Sequence, residues 1–421
     1  MTSGVIRAAV VTGCVVPRDA VSNITRQQAD ALGRPGRVGG MRARVRIFCH
    51  GSPLADTRIR VIPDAARLAA DPFLRSAELV VFHFAIRYPA FDAIQLAPRT
   101  ARVLAYYYGI TPPAVCTGED RAITAESYRQ ASHLLAADAV LMTSRHLTAE
   151  LLAYGVPADR IVLVPPAVSV VPAPRPSRST GGPLRLLYVG RFVPAKGVAD
   201  LLAAFRLFLA KHPAATLTLA GSRIFSDAAY LAALRTAAEA PDLRDRVRFR
   251  FDPPNSELAG LYAGADVLVL PSYHEGFGVP IVEALAGGCY VICSDAGAAP
   301  ETAGGLGLVF PAGDAGALAD RLGEAAAAWA AGVRPTADGP LPPGEWADRA
   351  AAYAATFSRA AFEGRFRAAA LGGLRPVSPG VRAFFAGAQG RVLGEAAAQP
   401  DEAAVYEKFH RLAAGADSRA A

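Results

Sequence analysis

Short apolar runs alternate with amphipathic stretches along most of the chain. In the first part, six runs have the character of buried strands: VIRAAVVTGC, RVRIFCHG, ELVVFHFA, ARVLAYYYGI, AVLMTS and RIVLVPP. Between several of them lie stretches with helical spacing, such as residues 19–33 and 119–137. Continuous Val/Ile/Leu runs are typical of strands that are covered on both faces of a parallel sheet. The pattern therefore predicts a doubly wound α/β domain.

A segment rich in proline, serine and glycine, Pro165–Pro183, interrupts this alternation and is typical of a linker. Beyond it the alternation restarts with the strand-like runs LRLLYVG, ATLTLAG, RVRFRF, DVLVLPS and YVICSD. We predict a first domain at residues 1–168, a linker at 169–183, a second domain at 184–375 and a C-terminal helical extension at 376–421. Ligands of such sheets bind beyond the carboxyl ends of the strands, so two facing domains would enclose a cleft.

The composition favours a folded protein with anionic partners. Hydrophobic residues make up 52% of the 421 positions and charged residues 19%, which suits large cores rather than wholesale disorder. The formal net charge is +7, which favours a nucleotide, a phosphorylated substrate or an anionic membrane surface; a basic surface without a partner is the alternative. No basic run is interleaved with aromatic residues, which argues against nucleic acid as the main partner.

Cysteine usage and the apolar runs bear on the cellular compartment. The five cysteines are scattered and form no CxxC pair, which favours reduced thiols over a disulfide framework or a zinc site. The N-terminal run has no signal-peptide pattern, and no apolar segment reaches the roughly 18 residues of a membrane span. These features predict a cytoplasmic protein, with peripheral contact at the inner face of the membrane as a further possibility.

The segment YVGRFVPAKG, residues 188–197, combines a strand end with two cations. Gly190 ends the strand, Arg191 and Lys196 follow, and Gly197 opens a helix. Backbone N–H groups and the dipole at a helix N-terminus favour an anion, and an Arg fork binds two phosphate oxygens. The spacing is neither a P-loop nor GxGxxG. The segment therefore indicates a phosphate site. The alternative is that the two cations are solvated residues of a surface loop.

The segment PSYHEGFGVPIVEALAGG, residues 271–288, places two carboxylates on either side of a glycine-rich turn. Gly276 and Gly278 allow the loop to turn its N–H groups toward a ligand. Glu275 stands at the entrance of this loop, and Glu283 lies about one turn into the helix that follows. Both acids could face one cleft; alternatively, Glu283 only caps the helix and Glu275 is a solvated acid.

Taken together, GRFVPAKG and PSYHEGFGVPIVEALAGGCYVICSDAGAAPE resemble the signature of the retaining glycosyltransferases of family 4. The resemblance covers residues from about 184 to 310. It implies the GT-B fold, in which two doubly wound, Rossmann-like domains face a central cleft, with C-terminal helices packing back on the body. The first domain would bind the acceptor and the second the nucleotide sugar.

The resemblance also implies roles for individual residues of the second domain. The donor diphosphate would be bound by Gly190, Arg191 and Lys196. The donor sugar and ribose would contact Gly276, Phe277, Gly278 and Glu283. Glu275 would lie beside the transferred sugar as a catalytic residue. These cations and the helix N-terminus can stabilise the leaving diphosphate without a metal ion, and no DxD-type pair of acids is present.

The first domain resembles the family less closely. His83, just past a strand, matches a position where relatives often place a histidine near the donor sugar, and we predict a catalytic role for it; a structural histidine is the alternative, and His50 is a weaker rival. YYYGITPP, residues 106–113, resembles a segment that commonly reads Tyr-His-Asn-Ile-Thr-Pro-Pro, from which it departs at Tyr107 and Gly109. Further residues that could line the cleft or contact the acceptor are Asp19, Asn23, Ser144 and Arg145.

The function implied is transfer of a hexosyl group, with mannosyl as one candidate, from a nucleotide-diphosphate sugar to a glycan or lipid-linked acceptor in polysaccharide biosynthesis. The nucleotide sugar would be a co-substrate, and no resident cofactor or metal is expected. Three alternatives stay open: a nucleotide-sugar epimerase on the same fold, a phosphorylase, which would need a pyridoxal cofactor, and a non-catalytic glycan-binding protein.

Overall fold

The structure, a computed structural model, describes residues 5–17, 19–34, 42–169, 182–223 and 225–372. Within these ranges the chain forms two parallel sheets, one of seven strands and one of six. The predicted α/β class with two doubly wound sheets is confirmed. The predicted C-terminal extension and most of the predicted linker lie outside the described residues.

The first sheet is built from the N-terminal part of the chain. Its strands are β1 Val5–Val11, β2 Arg42–Cys49, β3 Ile59–Val61, β4 Leu79–Phe84, β5 Arg102–Tyr107, β6 Ala139–Met142 and β7 Ile161–Leu163. Its helices are α1 Ala20–Gly33, α2 Ala65–Ala70, α3 Pro72–Arg75, α4 Gly118–Gln130 and α5 Thr148–Ala153, with 3-10 turns at Pro89–Leu96, Pro113–Val115, Ala131–Ala136, Arg145–Leu147 and Ala158–Arg160. The strand order is β3-β2-β1-β4-β5-β6-β7.

The second sheet repeats this plan. Its strands are β8 Arg185–Val189, β9 Thr216–Gly221, β10 Val247–Phe251, β11 Val267–Leu270, β12 Tyr290–Ser294 and β13 Gly307–Phe310, in the order β10-β9-β8-β11-β12-β13. A 3-10 turn spans Pro194–Lys196, and the helices are α6 Val198–Leu209, α7 Ala228–Ala238, α8 Asn255–Gly264, α9 Val279–Ala286, α10 Ala299–Ala303, α11 Ala315–Ala330, α12 Pro343–Ala355 and α13 Arg359–Leu371.

Burial on both faces explains the continuous apolar runs. In β1, Ala8 and Val10 pack into the core on one face of the first sheet, and Ala9 and Val11 into the core on the other. All four side chains are fully buried. Because successive strand residues point to opposite faces, a strand covered by helices on both sides needs apolar residues at every position.

Two edge strands, β3 and β13, were not predicted from the sequence. They have three and four residues, and each pairs with a single neighbour, β2 or β12. β3 contains Arg60 and the half-exposed Val61, so it does not have the continuous apolar character of the inner strands. Edge strands of this kind carry too few buried positions to be distinguished from loops in a single sequence.

The last described helix, α13, returns to the first sheet, although its residues lie in the range we assigned to the second domain. Phe362 and Phe366, one turn apart and fully buried, pack into the first-domain core that also contains Ala8 and Val10. Arg359 forms an ion pair of 2.9 Å with Asp30 of α1. The C-terminal helices thus pack back on the body. None of the helices within the described ranges is long and apolar enough to cross a membrane.

Candidate active site

The carboxyl ends of the two sheets face each other across a cavity of about 1280 Å³, here called the interdomain cavity. In each sheet, the order in which successive strands are added changes direction at one strand. This strand is β1 in the first sheet, between β2 and β4, and β8 in the second sheet, between β9 and β11. The loops on either side of such a reversal diverge and leave a crevice. Gly13 and His83 line the cavity from the first sheet, and Gly190 and Glu275 from the second. The cavity therefore joins both crevices.

The loop after β8 brings Arg191 to the cavity wall. The Tyr188 hydroxyl donates to the Arg191 carbonyl at 2.6 Å, and the fully buried Phe192 anchors the next position. Gly197 has φ of 63°, and an added Cβ would overlap the carbonyl oxygen of Pro271 after β11. Glycine at this position lets the loops of the two neighbouring strands touch, which places the cations of one loop beside the carboxylate of the other.

Lys196 and Glu275 form an ion pair at this junction, with 2.6 Å between Nζ and Oε1. The Ser272 hydroxyl also donates to Oε1, at 2.7 Å. Burial by itself would raise the pKa of Glu275, but the Lys196 charge and the hydrogen bonds from Lys196 and Ser272 outweigh it, so the pKa lies below its ordinary value. Glu275 is therefore an ionised carboxylate within a buried, hydrogen-bonded pair.

The loop that follows Glu275 is held by the first domain. The hydroxyls of Thr143 and Ser144 donate to the Gly276 carbonyl at 2.8 and 2.9 Å, and an added Cβ on Gly276 would overlap the Tyr108 carbonyl oxygen. Phe277 and Gly278 complete the loop and, like Gly276, line the interdomain cavity. With a φ of 92°, Gly278 then caps α9 in the left-handed region that favours glycine.

Glu283 lies in the middle of α9, where its carboxylate lines the same cavity. The Tyr262 hydroxyl of α8 donates to its Oε2 at 2.6 Å. Burial raises the pKa of Glu283 to about 7, and the hydrogen bond from Tyr262 offsets only part of this effect. The two glutamates of the motif thus share one cavity, but they differ in charge state near neutral pH, because Glu275 has a cationic partner and Glu283 has a neutral one.

His83 lies in β4 with its ring buried at the cavity wall. Its Nδ1 is 2.6 Å from the Tyr108 hydroxyl and 3.4 Å from Thr25 Oγ1. Burial lowers the pKa of His83 to about 3, so the ring is neutral at physiological pH. Its Nε2 is buried and has no hydrogen-bond partner among the described residues.

Asp19, Asn23 and His50 also line the interdomain cavity. Asp19 caps α1, since its carboxylate accepts hydrogen bonds from the backbone N–H and the hydroxyl of Ser22, both at 2.7 Å. Asn23 is exposed in the first turn of α1. His50 Nδ1 lies 3.3 Å from the Pro63 carbonyl oxygen. Asp19 thus has a structural contact as well as a place in the cavity wall.

Ser144 and Arg145 join the two domains and are not among the residues that line the cavity. Ser144 holds the Gly276 loop, as described above. The backbone N–H groups of Arg145 and His146 each donate to one carboxylate oxygen of Glu301 in α10, both at 2.9 Å. Both residues follow β6, which ends against the second domain, and this explains the contact between the domains. The acceptor contact that we predicted for the two residues stays a prediction.

Several residues at the site were not found in the sequence. They are Thr25, Tyr108, Thr143, Tyr262, Ser272 and Glu301. Ser272 and Glu301 lie within residues 271–301, the segment that resembles the family signature, and this position could have indicated a functional role. Thr143 and Tyr108 adjoin residues that we singled out. Tyr262 gave no signal, because one tyrosine in an apolar helix is typical of core packing.

Residues 173–328 match the family model described as glycosyl transferases group 1. This part of the chain is similar to that family. Curated relatives include the O-antigen chain mannosyltransferase B of Escherichia coli, 32% identical over 179 residues, which are 40% of this chain and 46% of the relative. The D-inositol 3-phosphate glycosyltransferase of Corynebacterium glutamicum is 30% identical over 225 residues, 49% of this chain and 50% of the relative. The chain thus spans half or less of the length of these relatives.

Solved structures match almost the whole described chain. The Anabaena protein HepE, solved in complex with UDP-glucose, has a TM-score of 0.64 with 16% sequence identity, over 86% of this chain and 98% of that one. A glycosyltransferase from Rickettsia africae gives 0.63 with 16% identity, over 87% and 100%. At this level of identity the likeness shows the fold, which is the two-domain GT-B arrangement of these glycosyltransferases.

Proposed function

We propose that the protein is a retaining glycosyltransferase of family 4 that moves a hexosyl group from a nucleotide-diphosphate sugar to a glycan or lipid-linked acceptor in polysaccharide biosynthesis. The family match, residues 173–328, covers most of the domain that would bind the donor. Mannosyl is one candidate for the transferred group, because one relative is an O-antigen chain mannosyltransferase. A nucleotide sugar is the proposed donor, in keeping with the UDP-glucose complex of a protein with the same fold.

The observation that carries the proposal is the Lys196–Glu275 ion pair in the wall of the interdomain cavity, which Arg191 also lines. A leaving diphosphate develops negative charge as its bond to the anomeric carbon lengthens, and that carbon develops positive charge. Lys196 and Arg191 suit the first charge, and the ionised Glu275 suits the second. A site that only binds a neutral glycan would have no use for a cation and an anion placed side by side.

Glu275 suits orientation and charge stabilisation better than proton transfer. Its pKa is below the ordinary value, so it is a poor general acid at neutral pH. In the proposed retaining step, the bond from the anomeric carbon to the diphosphate breaks, and the acceptor oxygen bonds to the same face of that carbon. The acceptor proton goes to an oxygen of the departing diphosphate, which is held by Arg191 and Lys196.

Glu283 is the proposed ribose ligand. It is a buried carboxylate with a hydroxyl partner already in place, and its remaining lone pairs can accept hydrogen bonds from two vicinal hydroxyl groups. Hydrogen bonds donated to a buried carboxylate stabilise its charged form. Binding of ribose would therefore compensate for the burial that now raises the pKa of Glu283.

The proposal includes neither a resident cofactor nor a metal ion, because side-chain cations and the N-terminus of α6 are suited to the charge of the diphosphate. A lipid-linked acceptor would bring the protein to the inner face of the cytoplasmic membrane as a peripheral partner. The net charge of +7 suits an anionic surface of that kind.

Binding of nucleoside diphosphates to the purified protein, followed by thermal unfolding and calorimetry, tests the donor half of the proposal. We expect one base to raise the melting temperature most, and Lys196→Ala to weaken that binding by at least tenfold. Lys211→Ala is the matched control, since Lys211 is exposed at the end of α6, away from the cavity. No binding by any nucleoside diphosphate would overturn the proposal.

The corresponding nucleotide sugar, incubated with candidate glycan and lipid-linked acceptors, tests the chemistry. Proton NMR of the product should show the anomeric configuration of the donor. Inversion would contradict the retaining step. Conversion of the sugar to its epimer without any acceptor would instead identify the epimerase alternative.

A further inference from the structure

Three consecutive tyrosines, residues 106–108, end β5 and lead into the cleft. β5 lies beside β4, with Tyr106 in register with His83. Side chains alternate along a strand, so Tyr106 and Tyr108 share the face on which His83 lies, whereas Tyr107 packs into the opposite core. The His83 ring is 5.7 Å from the Tyr106 ring and 5.8 Å from the Tyr108 ring, measured between centroids. His83 is thus enclosed by the two tyrosines.

Tyr108 makes the closest polar contact of His83, with 2.6 Å between its hydroxyl and Nδ1. Thr25 Oγ1 is also near Nδ1, at 3.4 Å, but the Thr25 hydroxyl donates its proton to the Val21 carbonyl at 2.8 Å. Thr25 can therefore only accept a hydrogen bond from His83. Among the described residues, His83 Nδ1 is the one acceptor in reach of the Tyr108 hydroxyl proton.

The acceptor that the Tyr108 hydroxyl proton needs decides which of the two neutral forms of His83 is favoured. If Nδ1 carried the ring proton, the Tyr108 hydroxyl proton would have no acceptor among the described residues. If Nδ1 is bare, it accepts from Tyr108, and the ring proton is on Nε2. The surroundings of Nδ1 therefore favour the Nε2–H form.

Nε2 is the atom of His83 that has no protein partner. It is buried, it has no hydrogen-bond partner in the described chain, and His83 lines the interdomain cavity. A buried N–H without an acceptor is rare in folded proteins unless a water molecule or a ligand completes it. The neutral N–H is thus a ready donor for an oxygen atom of a bound ligand.

We propose that Tyr108 is a positioning residue that holds His83 in its Nε2–H form, so that His83 donates a hydrogen bond to an oxygen of the sugar being transferred. The identity of the ligand rests on the proposed function, whereas the state of the ring is a property of the free protein.

The state of His83 is tested first without any substrate, by ¹⁵N NMR of histidine-labelled protein, with His83→Gln used to assign the signal. We expect Nε2 to carry the proton in the parent protein. In Tyr108→Phe, which keeps the ring and removes the hydroxyl, the signal should move toward the Nδ1–H form, because Thr25 is then the remaining polar neighbour of Nδ1. Tyr106→Phe is the control: its hydroxyl donates to the Val164 carbonyl at 2.7 Å, and its loss should leave His83 unchanged.

A double-mutant cycle on transfer rates tests the purpose of this state. Gln places an amide N–H near the position of Nε2 without needing Tyr108. We expect Tyr108→Phe to lower kcat about tenfold in the parent protein and to have no effect in the His83→Gln background. An Nδ1–H ring in the parent protein, a signal unmoved by Tyr108→Phe, or equal losses in both backgrounds would each overturn the inference. Absence of nucleotide binding would instead refute the proposed function and leave the NMR result standing.

Discussion

The two walls of the interdomain cavity are built in different ways. In the second domain, the predicted donor-binding residues of the wall lie in two continuous segments, residues 190–197 and 275–283, which are joined by the Lys196–Glu275 ion pair. In the first domain, the predicted site residues and their polar neighbours come from separate elements, such as Asp19 before α1, His83 in β4 and Tyr108 after β5. Asp19 caps α1, and His83 is neutral.

The difference corresponds to the extent of the family match. The model of the family covers residues 173–328, which include both of these segments and none of the first sheet. The diphosphate of a nucleotide sugar carries the same charges whatever the acceptor, so a contiguous motif can encode its site. An acceptor varies from enzyme to enzyme, and its site can be built from any loops at the carboxyl edge of the first sheet. The predictions below test whether the two walls do separate work.

Glu275→Gln should have the largest effect. Loss of the charge at the sugar end should lower kcat about 10²- to 10³-fold. Nucleoside diphosphate binding should be unchanged or tighter, because Lys196 loses its carboxylate partner and becomes available to the phosphates. Calorimetry and product formation on the same sample separate the two effects. Glu239→Gln, an exposed change at the end of α7, is the control; near-normal turnover of the Glu275 variant would refute its catalytic role.

Gly276→Ala should have the second-largest effect on turnover, since it forces the two walls of the cavity apart. The added Cβ would overlap the Tyr108 carbonyl of the first domain, so the domains could not close over the donor. We expect turnover to fall about 10²-fold while nucleoside diphosphate binding, which uses the second wall, changes little. Gly260→Ala, in α8 with open space around its Cα, should have no loss. Small-angle scattering should show a larger radius of gyration for the first variant alone; wild-type dimensions and rate would contradict the idea.

The sequence was most informative about functional residues that lie close together along the chain. Glu275, Lys196 and Glu283 lie within motif segments, so their neighbourhood could be predicted before any contact was known. The ion pair between Lys196 and Glu275 could not, because it depends on the close approach of two loops at Gly197. The contact of His83 with Tyr108 needs the register of β4 and β5, which no local pattern contains.

Prediction of the fold was limited in the same way, because local patterns are visible in the sequence and long-range contacts are not. Apolar runs, most of them continuous, predicted eleven of the thirteen strands, since burial on both faces leaves a strong local pattern in the inner strands. The edge strands β3 and β13 lack it. For α13, the spacing of Phe362 and Phe366 predicts a helix with an apolar face, but a spacing does not tell which core receives that face. The return of α13 to the first sheet is a long-range property of the fold.

The charge state of Glu283 should produce opposite pH dependences of stability and binding. Its pKa is raised from 4.5 to about 7 in the folded protein, so the folded state holds this proton more tightly than the unfolded state. The contribution to stability is complete below about pH 4.5 and is lost as the pH rises to about 7, by on the order of 3 kcal/mol. Nucleotide affinity should rise about tenfold between pH 6 and pH 8, because the ionised carboxylate accepts the ribose hydroxyls.

Glu283→Gln supplies the comparison for this pH effect. The variant should lose the specific fall in melting temperature between pH 5 and pH 7 and should bind nucleotide weakly at every pH. A deoxyribose analogue should lose the pH dependence of binding with the native protein. Parallel pH profiles for the native protein and the Gln variant would show that another group is responsible.

Glu301→Ala should have the smallest effect, because it changes how often the two walls meet rather than what either wall contains. Glu301 accepts from the N–H groups of Arg145 and His146, but its side chain is exposed, so solvent replaces much of the lost interaction. We expect KM for the acceptor to rise about threefold with kcat nearly unchanged, since the closed form becomes less populated but keeps its geometry. Glu345→Ala, which breaks an exposed ion pair with Arg349 inside α12, is the matched control and should leave both constants unchanged. A fall in kcat equal to that of Gly276→Ala would mean that the Glu301 contact helps to form the site itself, and the separation of the two walls would then fail at this contact.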